Sequence, residues 1–222
     1  MQRATPGQPD PSLRAVVRVF FTFRSPRLFV VALTLLAALR VYLGEFRGWD
    51  LAVIPAVLAI QPFAEWLIHR YILHFVPKQV FRRVFDLPSA RSHRIHHRDP
   101  WDLQRVFIPL RSAAVGLLLF AALWYAVLPT VPLFVSMMIA TVAAAFAYEW
   151  VHYLTHTAYH PRTALYRRMW RHHRLHHFKN EHYWLGITSN LGDRVLGTYP
   201  APTAVATSPT CRTLGVDAPT GP

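Results

Sequence analysis

Read from its N-terminus, the chain alternates long apolar runs with short polar breaks. Four runs approach or reach the ~20 mostly apolar residues that a helix needs to cross a hydrocarbon layer: residues 28–46, 51–75, 112–128 and 131–156. The stretch 44–50 joins the first two, and Pro129-Thr130-Val131-Pro132 joins the last two. Links this short favour antiparallel neighbours, so the pattern predicts an all-α integral membrane protein with four transmembrane helices in two hairpins. Residues 1–27 then form an N-terminal segment, 28–198 the membrane domain, and 199–222 a Pro/Thr/Ala-rich tail expected to be disordered.

Charge adds an orientation. Lys and Arg number five in residues 1–27, eight in 76–111 and eight in 157–222, whereas the links within the hairpins carry only Arg47. The positive-inside rule makes both termini and the middle loop cytoplasmic, in an inner or plasma membrane. A net charge of +13 with 53% hydrophobic residues therefore points to an anionic membrane face and away from nucleic acid. No signal-peptide pattern precedes the first run, which is expected to stay in the mature protein. Arg40 and Glu65 interrupt apolar runs; Arg40 is near enough to an end to snorkel, and Glu65 lies one turn before His69.

Histidine carries the chemistry. Ten of the 13 histidines form four clusters, His69/His74, His93/His96/His97, His152/His156 and His173/His176/His177, all on the predicted cytoplasmic side. Imidazole is the commonest nitrogen ligand for zinc, iron, copper and nickel, and ten of them suit two metals in one pocket beneath a cytoplasmic helical cap. Residues three or four apart share a helix face, which suits three of the clusters. His69 and His74 are five apart, about 140° around an α-helix, and converge only if the helix unwinds near Phe75 or the metals lie beyond its end. His160, His172 and His182 have no such partner pattern. Cys211, the only cysteine, excludes a disulfide framework and a thiolate-based site.

Glu149-x-x-His152 matches half of the ferritin-like di-iron signature, but no second Glu-x-x-His exists. The carboxylates Glu149, Asp86, Asp99, Glu181 and Asp193 are instead expected to accept the outer N–H of ligating imidazoles. Trp150, Tyr153, Phe178, Tyr183 and Trp184 flank the third and fourth clusters; four of them, Trp150, Tyr153, Tyr183 and Trp184, are candidates for an apolar substrate slot at the membrane surface.

In order and spacing, H-x4-H, H-x2-HH, H-x3-H and H-x2-HH, these clusters resemble the fatty acid hydroxylase / sterol desaturase superfamily of integral-membrane di-iron oxygenases, bacterial type. Gly186-Ile187-Thr188 and Gly192-Asp193 resemble the segment that follows the last cluster there, and the likeness covers about residues 50–198. It implies that the ten histidines hold two iron ions, with zinc able to occupy the same imidazoles. It implies O2 as co-substrate, hydroxylation of an acyl chain or acyl lipid in the membrane, and electrons from a ferredoxin or cytochrome with its reductase, since 27 residues before the first run are too few for a fused haem domain. A carotenoid-ring hydroxylase or sterol desaturase would use the same ligands. A metal transporter would need ionisable groups near mid-membrane, and a haem-binding subunit would leave most of the ten histidines unused.

Overall fold

The computed structural model describes residues 11–216, so the outermost parts of the two terminal segments lie outside the described residues. Four helices are long and apolar enough to span a membrane: α2 (Arg24–Leu43), α3 (Gly48–Leu67, prolonged by a π turn over Ile68–Leu73), α5 (Leu110–Val127) and α6 (Val131–Thr155). They are preceded by a short helix, α1 (Leu13–Phe20). Helix α6 is the hub, touching α2, α3 and α5 along its length. Phe29, Ala113, Met138 and Val142 close one seam, and Val53, Val57 and Met137 another. Outward positions such as Val31, Leu35, Leu58, Leu118 and Leu119 stay exposed, as lipid-facing positions should, and the chain is an integral membrane protein.

Local chemistry explains the breaks. Gly44, at φ +60°, ends α2 in a conformation open to glycine. Asp50 then accepts the Arg47 N–H at 2.8 Å and caps α3. Thr130 caps α6, with Pro132 in its first turn, where a missing N–H costs nothing. Arg40 does not snorkel. It is buried, with its guanidinium 2.8 Å from Asp50 and its Nε 2.8 Å from Ser136 Oγ, so three spans are pinned together at the end remote from the histidines.

Beyond α3 the chain makes a small antiparallel hairpin, β1 (Lys78–Val80) and β2 (Arg83–Phe85), the one departure from an all-α fold among the described residues. The cap follows: α4 (Pro88–Arg98), a 3₁₀ turn at Leu103–Arg105, α7 (Ala164–Phe178) and α8 (Leu191–Val195). Helix α1 belongs to it, because Val16 and Phe20, one turn apart, pack against Leu103, Phe107 and Tyr153.

The segment expected to be disordered from residue 199 is structured as far as 216. Ser208 N–H bonds to the Lys179 carbonyl at 2.7 Å, Thr210 to Glu181 at 2.5 Å, and Arg98 to the Val216 carbonyl at 2.7 Å. Its order comes from backbone and hydroxyl groups that satisfy buried polar atoms of the cap, which hydrophobic periodicity cannot reveal.

Candidate metal centre

The ten clustered histidines meet in two groups of five. One holds His69, His74, His93, His97 and His176; the other holds His96, His152, His156, His173 and His177; within each, one donor atom per residue lies within 4.8 Å of every other. The grouping does not follow the sequence clusters. On α4, His93 and His97 are four apart and face the first group, while His96, three from His93, turns to the second. Helix α7 does the reverse, giving His173 and His177 to the second group and His176 to the first. Steps of +4 and +3 displace a side chain by about 40° and 60° in opposite senses, so each H-x2-HH motif serves two adjoining centres.

His69 and His74 join the same group, with ring centroids 4.8 Å apart, through the π turn over Ile68–Leu73. The His74 N–H bonds to the His69 carbonyl at 3.1 Å, the i→i+5 pairing of a π-helix, which brings together residues that an α-helix would separate. The helix therefore rewinds where unwinding was expected.

Ring nitrogens approach closely. His69 Nε2 and His97 Nε2 each lie 3.1 Å from His93 Nε2, and His156 Nε2 and His177 Nε2 lie 2.7 and 3.0 Å from His173 Nε2. Nitrogens bound at about 2.0–2.1 Å to a shared ion, at angles near 90–110°, would sit roughly 3.0–3.4 Å apart. Five further buried nitrogens, Nε2 of His74, His152 and His176 and both of His96, have no hydrogen-bond partner. Leaving such groups unpaired costs about 1–3 kcal/mol each, a cost that coordination removes. The donor set thus fits a metal.

Protonation agrees. Burial, then neighbouring imidazoles, hold His93, His96, His156, His173, His176 and His177 well below the ordinary imidazole value of 6.5. Burial takes His97 down to about 3. At neutral pH these rings are uncharged, as ligands must be.

Three outer nitrogens find backbone carbonyls where carboxylates were expected. His69 Nδ1 donates to Leu185 O at 2.6 Å, His97 Nδ1 to Cys211 O at 2.8 Å and His176 Nδ1 to Tyr183 O at 2.9 Å. These bonds fix the tautomers and leave each Nε2 lone pair toward its group. Of the expected acceptors, Glu149 takes the Ile108 N–H at 2.9 Å, Asp86 pairs with Arg94 at 2.5 Å, and Glu181 takes the Thr210 hydroxyl. Asp193 takes the Leu185 and Gly186 N–H groups at 2.9 and 2.8 Å, and Asp99 ends α4. Glu181 and Asp193 therefore act one step out, by holding the strands of backbone whose carbonyls meet the rings.

Glu65 does the same, and the sequence marked it only as an oddity. Its carboxylate accepts the Ile187 and Thr188 N–H groups at 3.1 and 3.0 Å, the Thr188 hydroxyl, and Gln61 at 2.9 Å. Residues 185–188 are thus clamped between α3 and α8. Gly186 lets them pass: a Cβ there would lie 2.0 Å from the Ser189 carbonyl oxygen.

The candidate substrate residues fare differently. Tyr153 and Trp184 are both buried to 1% exposure; the Tyr153 hydroxyl donates to Val16 O at 3.1 Å, and the Trp184 N–H to Thr198 O at 2.9 Å. They are cap core: the Tyr153 ring packs with Val16, Phe20 and Leu103, and Trp184 is held through its backbone amide by Thr198. Trp150 packs edge-on to Phe20 at 5.0 Å, and Tyr183 contributes its carbonyl to His176. His172 bonds Asn190 and Tyr199, His182 is exposed, and neither they nor His160 enter either group.

Residues 54–198 match the family described as fatty acid hydroxylase. The chain belongs to that family. Two dihydroceramide fatty acyl 2-hydroxylases of Arabidopsis thaliana are 27% identical over 144 residues and 29% identical over 154, covering 64% and 67% of this chain and 58% and 62% of theirs. A fatty acid 2-hydroxylase of Rattus norvegicus is 26% identical over 166 residues, 70% of this chain and 43% of that one. The chain therefore spans about 60% of the length of the plant hydroxylases it matches. A solved structure described as full-length scs7p, with only its hydroxylase domain visible, shares the fold at TM-score 0.69 and 20% identity, over 83% of this chain and 68% of that one. Membership of the fatty acid hydroxylase family and the two histidine groups together point to a metal cofactor.

Proposed function

We propose that this chain is an O2-dependent membrane lipid hydroxylase in which the ten histidines hold two iron ions and oxygen enters a C–H bond of an acyl chain or acyl lipid. The observation that carries this reading is the pair of five-nitrogen groups, buried but for the half-buried His74, at one end of a four-span bundle. Iron bound there would supply O2 activation and the removal of hydrogen from an unactivated C–H bond. The protein's part is positioning. Backbone carbonyls of Leu185, Cys211 and Tyr183 orient three rings, and burial excludes the water that would quench a strong oxidant. The relatives are named for acyl 2-hydroxylation, two of them of dihydroceramide. That favours a ceramide-like acyl lipid over a carotenoid ring or a sterol.

Electrons come, on this reading, from a separate acidic ferredoxin or cytochrome with its reductase, docked on the basic histidine side, which faces the cytoplasm. Metal-depleted protein reloaded with iron or with zinc tests the assignment. Given a donor system and isotopically labelled O2, the iron form should place the label in an acyl lipid and the zinc form should bind its metal without turnover. Equal turnover of both forms, or unlabelled product, would refute it.

A further inference from the structure

The β1–β2 hairpin takes no part in the site, yet its base is firmly held. Arg94 of α4 donates to the Phe75 carbonyl at 2.9 Å and pairs with Asp86 at 2.5 Å, clamping together the residues on either side of the hairpin. Phe85 packs edge-on to Phe75 with centroids 5.8 Å apart. Beyond the clamp every strand residue is exposed on both faces. Phe81 is 96% exposed, Val84 70% and Val80 48%. A two-stranded hairpin with nothing packed on it beyond its base is marginal in water, and a row of exposed apolar side chains normally marks a contact surface.

Two details identify the contact. Phe81 sits at φ +53° in the turn, a conformation that glycine adopts freely and a bulky side chain adopts only under strain. A large apolar group is therefore held at the tip at a cost that folding alone does not explain. Lys78, Arg82 and Arg83 interleave with the apolar residues, the mixture that suits acyl chains below and anionic headgroups beside them. The span that precedes the hairpin ends at Leu73. Strands of three residues rise only about 10 Å, and the interfacial layer is roughly 5–8 Å deep on each side of the hydrocarbon. The tip is within reach of that layer.

We propose that the 78–85 hairpin is an interfacial anchor that seats Phe81, Val80 and Val84 in the bilayer crossed by the four spans, with Lys78, Arg82 and Arg83 on anionic lipid headgroups. Through the Arg94 clamp it ties α4, with its three site histidines, to the lipid surface. The inference rests on the four spans and not on the proposed chemistry.

A nitroxide on Phe81→Cys, in a Cys211→Ala background, reads its surroundings in nanodiscs of phosphatidylcholine with or without phosphatidylserine. Collisions with O2 should dominate over those with a water-soluble nickel complex, approaching the contrast of a label at lipid-facing Leu118. The contrast should rise with phosphatidylserine and fall when Arg82→Glu and Arg83→Glu are added. In unlabelled wild-type protein, trypsin should cut after Arg82 or Arg83 in detergent and be blocked in phosphatidylserine nanodiscs, with the block lost in Phe81→Gly, a change that suits the turn. A water-exposed label in both bilayers, or cleavage indifferent to lipid, would overturn the anchor and leave the hairpin free for a protein partner.

Discussion

His96→Ala and His176→Ala are each expected to abolish hydroxylation and to remove a different metal ion. The two residues belong to opposite groups although each lies in an H-x2-HH motif, because α4 and α7 divide their histidines in opposite senses. Loss of His96 leaves His152, His156, His173 and His177, while the group built on His69 remains whole; loss of His176 reverses the outcome. Metal content should fall from about two per chain toward one in either variant and toward none in the double variant, since each ion has its own five donors. A centre that needs both ions has no partial activity to keep, so turnover should fall below detection in both. Wild-type turnover in either variant would sink the ligand assignment, as would loss of both metals from each. His160→Ala, outside both groups, should leave metal content unchanged.

Glu65→Gln should lower activity about 10- to 100-fold and weaken the ion held by the His69 group. The residue touches no imidazole. It accepts the Ile187 and Thr188 N–H groups, and Asp193 accepts those of Leu185 and Gly186, so the two carboxylates hold the Leu185 carbonyl that receives His69 Nδ1–H. An amide keeps one oxygen and turns its NH2 toward a donor that then lacks an acceptor, at a cost of about 1–3 kcal/mol for each buried N–H left unpaired. Metal titration separates this from a general loss of fold: affinity should drop for one ion and hold for the other. Equal weakening of both ions would mean that Glu65 supports the bundle as a whole.

Much of this arrangement was legible in the amino-acid order because it depends on periodicity. Twenty-residue apolar runs announce spans whatever their neighbours, and histidines three or four apart must share a helix face. The division of each H-x2-HH motif between two centres is implicit in the same geometry. His69 and His74 were harder, since five-residue spacing converges only in the π turn, which no residue type signals. Three outer partners are not legible in the sequence for a different reason: Leu185, Cys211 and Tyr183 act through carbonyls that every residue has. Composition pointed to acids, and one of these, Asp193, holds the backbone one step away. Trp184 and Tyr153 misled because aromatic residues beside a site serve equally well as core, and only their packing decides. Glu65 did leave a trace, as a charge in an apolar run where an unpaired carboxylate would be costly.

The central claim is that this histidine centre oxidises a membrane lipid. Untargeted lipid mass spectrometry on a host expressing the chain with a working electron donor, against the same host expressing His96→Ala, tests it most directly. The account predicts a histidine-dependent gain of one oxygen on an acyl lipid, placed by fragmentation on the acyl chain. Identical lipid profiles from metal-loaded wild type and variant, with the donor shown to be active, would contradict it.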